Sequence, residues 1–183
     1  FALTQEAVQG AILQMVNHGI STGALFLLVG MIYERRHTRE IADFGGLAYR
    51  LPVFSVAFMI ITLSSVALPG TNGFIGEFMI LLGSFKGAWA YFVATGSIFR
   101  MVLMVFATTG VILGAYYMLW MVQRVFFGPL ENEKNKVLKD LSVREMLVLV
   151  PFIIAVFWIG LFPQGCLKKM DVSVKEYVAH YQP

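Results

Sequence analysis

Apolar residues run along this chain in four long charge-poor stretches separated by polar clusters. Residues 7–33 contain no Asp, Glu, Lys or Arg over 27 positions. That is ~40 Å of helix against a bilayer core of about 30 Å. The length predicts a transmembrane helix over about 5–33, with Thr4 placed to cap its start and Glu34-Arg35-Arg36-His37-Thr38-Arg39-Glu40 closing it in polar surroundings. The second stretch, 51–85, is too long for one straight span and is broken at 69–73 by Pro69-Gly70-Thr71-Asn72-Gly73, with Gly76 just beyond. A third span over about 100–124 ends at Arg124 and Phe126-Phe127-Gly128-Pro129, and a fourth over about 143–163 ends at Pro163-Gln164-Gly165. The chain therefore reads as a transmembrane helical region over 1–165, followed by an amphipathic tail over 166–183 suited to a membrane surface.

Positive charges decide whether 51–85 crosses the membrane once or twice. Arg35, Arg36, Arg39 and Arg50 follow the first span; Arg124, Lys134, Lys136, Lys139 and Arg144 precede the last. Both loops belong on the cytoplasmic side or its equivalent, so an even number of crossings separates them. Residues 51–85 are then one broken crossing, the third stretch is its return, and the fold class is an all-α polytopic membrane protein of about four spans. On this reading 86–100 forms a loop on the opposite side, with Trp89, Tyr91 and Phe92 at the membrane interface and Lys86 and Arg100 as interface anchors. Gly19-x-x-x-Gly23 and Gly110-x-x-x-Gly114 are read as sites of close helix packing.

The chemistry concentrates at the break. No charged residue occurs from Leu51 to Gly76, and then Glu77 appears within the apolar run, where a lipid-facing carboxylate is costly. Broken helices at membrane depth are tolerated where protein or water covers the freed backbone, and in transporters they mark ion paths. The bland alternative is that Glu77 caps the second half-helix, although Thr71 or Asn72, a turn earlier, is better placed for that. On the first span Gln14, Asn17, His18, Ser21 and Thr22 recur at helical spacing as one polar stripe. His18 lies ~20 Å along the axis from Thr4, and imidazole exchanges protons near neutral pH. A neutral histidine hydrogen-bonded between helices is the competing reading; Tyr116 and Tyr117 are read as packing residues.

Composition narrows the class further. Hydrophobic residues make up 58% and charged residues 14%, against about 25% charged in soluble domains. The net charge of +3 needs no nucleic-acid partner, because the basic residues flank apolar runs in contact with a lipid bilayer. Cys166 is the one cysteine, which removes intrachain disulfides and cysteine-based metal sites, and no metal site is expected. The start at Phe1 in an apolar context leads us to expect part of a longer subunit or a split gene product.

These residues together resemble a known family. Gln14-Met15-Val16-Asn17-His18-Gly19, Tyr33-Glu34-Arg35-Arg36-His37-Thr38-Arg39-Glu40-Ile41 with Gly45-Gly46-Leu47, Leu68 to Phe78, and Gln123-Arg124-Val125-Phe126-Phe127-Gly128 are similar to the C-terminal part of the antiporter-like subunits of respiratory complex I, of the chain M or subunit-4 type. Sister subunits of the subunit-5 and subunit-2 types carry a Lys where Glu77 stands. The resemblance implies a fourteen-helix antiporter-like fold with two inverted five-helix repeats, this chain beginning near the eleventh helix. It implies a proton-translocating subunit of NADH:quinone oxidoreductase, supplying part of a half-channel and of the mid-membrane proton axis, in an energy-transducing membrane. The bacterial inner membrane is expected, with the mitochondrial inner membrane as alternative.

On that resemblance Glu77 is the broken-helix carboxylate and His18 the axial histidine, both in proton transfer, with Gln14, Asn17, Ser21 and Thr22 in support. The family's first-half residues, a Glu and two Lys, have no counterparts here. Partners would be the other membrane-arm subunits and the N-terminal helices of the same subunit. No redox chemistry would fall in this chain; FMN, iron–sulfur clusters and quinone would belong to partner subunits. A subunit of a cation/proton antiporter or of a proton-pumping membrane hydrogenase remains an alternative, as does a passive scaffold of the arm.

Overall fold

Thr4 starts the first helix as the spacing requires, its hydroxyl accepting the Ala7 N–H at 3.3 Å. The computed structural model describes residues 4–181. In it α1 runs from Gln5–Arg36, 32 residues or ~48 Å, and ends at His37, whose left-handed backbone turns its N–H back to Tyr33 at 2.7 Å. A 3-10 turn at Ile41–Asp43 and the short α2, Leu47–Arg50, lead into α3, Pro52–Ser65. Pro52 opens α3 where no N–H partner is needed. The Asp140 carboxylate accepts the Val53 and Phe54 N–H groups at 2.9 and 3.0 Å. After a break come α4, Asn72–Thr95, α5, Phe99–Phe126, and α6, Glu133–Lys136. Then α7, Val143–Leu161, begins on a capping box between Ser142 and Glu145, and α8 covers Gln164–Tyr181.

Contacts along α1 order the other helices. Descending α1, Ser21 meets Ser64, Asn17 meets Asn72, Gln14 meets Glu77, and Glu6 meets Lys86. The α1 residue number falls steadily as the partner's rises, so α3 and α4 form one interrupted path antiparallel to α1. At the other end Arg35 pairs with Glu145 at 2.7 Å, Arg36 donates to Asn135 Oδ1 at 2.7 Å, and Asn132 and Asn135 donate to the Asp43 carbonyl. The two basic loops therefore share one end of the bundle, as one broken crossing and its return require. Among the described residues four helices, α1, α4, α5 and α7, are long and apolar enough to cross a membrane, while α3 is shorter and apolar.

The core sits near the shared loops. Phe54, Phe58 and Phe126 are buried with Leu28, Leu47 and Leu149. Among its described residues, α5 buries only Val122 and Phe126, so that end anchors it. The tail helix α8 buries Val174 and Val178, one helical turn apart, while Asp171 accepts Gln5 Nε2 at 2.7 Å and Gln9 Nε2 at 3.0 Å. Its apolar stripe is thus covered by protein beside the first turns of α1.

Two expectations are corrected. Residues 86–100 are not a loop: α4 continues to Thr95, and the turn occupies 96–98. Gly87 to Thr95 contains no proline, and the terminator is Gly96, whose φ of 70° closes the helix on the Phe92 carbonyl at 2.8 Å. Lys86 lies within α4 and pairs with Glu6, in the first turn of α1, at 2.6 Å. The paired-glycine spacings are not packing sites within this chain. A Cβ on Gly19, Gly110 or Gly114 would meet nothing within 4 Å, and one on Gly23 would touch only Phe152.

Candidate functional site

The break is built by backbone shape before any side chain acts. Ala67 and Gly70 take positive φ, 57° and 93°, which no helix can continue through. Leu68 N–H reaches back to Leu63 at 2.9 Å. Thr71 occupies the N-cap position of α4 but makes no capping bond; its hydroxyl turns back instead and donates to the Leu68 carbonyl at 2.7 Å. Pro69 lies exposed on the turn, while Thr71 and Asn72 are buried. Gly73 and Gly76 then allow close approach. A Cβ on Gly73 would collide with the Ser64 carbonyl, and one on Gly76 with Gln14 Oε1.

Into this approach α1 presents its polar stripe, which the structure divides. Gln14, Asn17 and Ser21 face α3 and α4. Gln14 Nε2 donates to Glu77 Oε1 at 3.3 Å, and Asn17 Nδ2 donates to Gln14 Oε1 at 3.2 Å and to the Asn72 carbonyl at 2.7 Å. Ser64 Oγ donates to Asn72 Oδ1 at 2.5 Å and shares a 2.7 Å bond with Ser21 Oγ. A string of hydrogen bonds thus links the carboxylate of α4 to the last turn of α3. His18 and Thr22 lie on the exposed side of the stripe, Thr22 Oγ1 being 3.1 Å from His18 Nδ1.

Glu77 is half-buried, in the second turn of α4. It lines a cavity of about 410 Å³ against Ser65, Gly110, Gly114 and Tyr117. His18 lines a smaller one of about 180 Å³ with Asn17, Ser21, Gly114 and Tyr117. No contact joins His18 to Glu77; the two cavities share Ser65, Gly114 and Tyr117 as lining residues. The glycines of α5 therefore make room beside the carboxylate. Asn17 Oδ1, Asn72 Nδ2 and Thr62 Oγ1 are buried with no protein partner among the described residues. The seam thus keeps spare hydrogen-bonding capacity where the backbone is interrupted. Sequence reasoning missed Ser64, which joins both halves of the string, and Tyr117, which it left as packing. The nearness of Ser64 to the break is a signal it shares with Ser65, so nothing in the sequence singled it out.

The family described as NADH:quinone oxidoreductase/Mrp antiporter, transmembrane, matches residues 1–104. This chain belongs to that family. Over its length it is similar to NADH-quinone oxidoreductase subunit M of Rhodobacter capsulatus, with 43% identity over 182 residues, covering 99% of this chain and 33% of the relative. NADH-ubiquinone oxidoreductase chain 4 of Marchantia polymorpha is 41% identical over 180 residues, covering 98% of this chain and 34% of the relative. In three dimensions the chain resembles one chain of respiratory complex I from Thermus thermophilus with bound NADH, at a TM-score of 0.80 and 31% identity, covering 95% of this chain and 35% of that one. The chain spans about a third of the length of the curated relatives it matches. Its broken-helix architecture is thus that of the antiporter-like membrane family.

Proposed function

We propose that this chain forms part of a proton-translocating membrane-arm subunit of NADH:quinone oxidoreductase, supplying the Glu77 side of a half-channel. The supporting observation is a titratable carboxylate one turn past a helix break, held by Gln14 and open to a 410 Å³ cavity. In this reading Glu77 takes and releases the proton, and the amides of Gln14 and Asn17 orient it without carrying charge. The hydroxyls of Ser21 and Ser64 extend the hydrogen-bonded seam across the break. His18, on the cavity that shares Tyr117 with that of Glu77, is the second exchange site. Redox centres and quinone belong to partner subunits, and the membrane is the inner membrane of a bacterium or mitochondrion. The antiporter branch named in the family's description is the second reading; the similarity to subunit M and chain 4 over nearly the whole chain favours the first.

Glu77→Gln in the full-length subunit tests the proposal. Assembly is expected to stay normal while proton pumping, followed by quenching of a membrane-energisation dye, falls strongly together with coupled quinone reduction. Glu77→Asp should keep part of the activity. Wild-type pumping by a normally assembled Gln variant removes Glu77 from the path.

A further inference from the structure

We propose that the cleft between the 3-10 turn at Ile41–Asp43 and the C-terminal end of α5 binds the phosphodiester headgroup of an anionic membrane phospholipid. The cleft is a cavity of about 610 Å³ lined by Arg39, Glu40, Phe44, Trp120 and Arg124, among others. The arginines at this end of the bundle fall into two groups. Arg35 is bound by Glu145 and the Met31 carbonyl, and Arg36 by Asn135 and the Asp43 carbonyl; both are structural. The guanidiniums of Arg39 and Arg124 have no ion pair or hydrogen bond among the described residues. Each rests instead over an aromatic ring, Arg39 at 4.8 Å from the Tyr33 centroid and Arg124 at 4.3 Å from that of Trp120. Stacking holds a guanidinium in place while leaving its N–H fork free, the geometry that suits phosphate oxygens.

Charge and position select the ligand. Two guanidiniums and the Glu40 carboxylate give the cleft one net positive charge, which one phosphodiester neutralises. The cleft lies at the end of a membrane-grade helix, level with the basic loops, where headgroups sit and tryptophan is favoured. Leading away from it along α5, Trp120, Tyr117, Tyr116 and Leu113 are exposed at helical spacing, an apolar track along which acyl chains can lie. A free phosphate ion would use the guanidiniums and leave that track unused.

The test is native mass spectrometry of the intact assembly carrying the full-length subunit, titrated with phosphatidylglycerol in mild detergent. The double variant Arg39→Gln/Arg124→Gln should weaken retention of one lipid by about tenfold or more, and Glu40→Gln should tighten it several-fold. Arg50→Gln/Arg144→Gln, which removes two other exposed arginines near the same end, should change nothing. Unaltered binding in the first pair overturns the proposal; if that pair fails to assemble, unaltered affinity in Glu40→Gln does so. Displacement of the lipid by excess inorganic phosphate overturns the lipid assignment in favour of a free anion.

Discussion

Near the C-terminal end of α1, Phe54, Phe58 and Phe126 close a dry cluster with ring centroids 4.8 to 6.1 Å apart. At the level of the break, the same α1 and α3 meet through Ser21 and Ser64, and α1 meets α4 through Asn17, Asn72, Gln14 and Glu77. The first zone draws its energy from buried area and packing, which carry no direction. In the second, each hydrogen bond adds only about 0.5–1.5 kcal/mol net, but each fixes where an atom points. The contrast assigns different duties: the aromatic end holds the helices together, and the polar seam positions a carboxylate beside a discontinuity. Mutations in the two zones should therefore fail in different assays.

The largest effect on stability is expected at the dry end. Phe126→Ala removes a side chain that is 2% exposed and packed against the rings of Phe54 and Phe58. The cost is about 3–5 kcal/mol, read as a lower thermal midpoint of the purified assembly. Proton pumping per assembled complex should stay near normal, because Phe126 touches no member of the seam. A pumping defect as large as the stability loss would break the division between the zones.

Gly73→Ala comes next and probes the junction itself. Its Cβ would collide with the Ser64 carbonyl, a backbone atom that a rotamer change cannot move aside. Overpacking of this kind costs about 1–3 kcal/mol, and here the shift would separate α4 from the end of α3 and misplace Glu77. Both the thermal midpoint and pumping should fall. A variant with wild-type pumping would mean that the break tolerates rearrangement, and the seam would lose its positioning role.

Ser64→Ala separates orientation from packing more finely. It leaves the volume almost unchanged but strips Asn72 Oδ1 and Ser21 Oγ of a partner. A buried group so orphaned costs about 1–3 kcal/mol, though Ser21 can re-bond and place the value at the low end. Pumping should drop by more than this modest destabilisation accounts for, and Ser64→Thr should restore part of it. Equal behaviour of Ser64→Ala and Ser65→Ala would deny Ser64 its special place.

How much was legible follows from the same residues. Glu77, the Pro-Gly break and the stripe from Gln14 to Thr22 stood out because polar groups are rare in apolar helices and each needs a reason. Ser64 and Ser65 are neighbours of one type in the same apolar run, yet Ser65 satisfies itself on the Ile61 carbonyl at 3.0 Å while Ser64 reaches Ser21 and Asn72. Only tertiary placement tells them apart. The end of α4 was hidden for a related reason. Lys86 lies inside α4 rather than past its end, paired with Glu6 80 residues away in sequence. Asp140 capping α3 from 86 residues away was invisible in the same way.

The smallest effect is expected where the sequence pattern looked most sensitive. Gly110 and Gly114 carry the spacing that lets membrane helices approach, but a Cβ at either meets nothing within 4 Å in this chain. Both line the 410 Å³ cavity beside Glu77 instead. Gly114→Ala should change the thermal midpoint by no more than the equivalent of about 0.5 kcal/mol, and helix propensity would if anything favour the alanine. A bulkier Gly114→Leu should leave stability similarly intact while slowing proton uptake, since its side chain would enter the cavities shared by Glu77, His18 and Tyr117. Strong destabilisation by Gly114→Ala would mean that α5 is clamped at this glycine by a helix outside this chain, and that the room beside Glu77 belongs to packing after all.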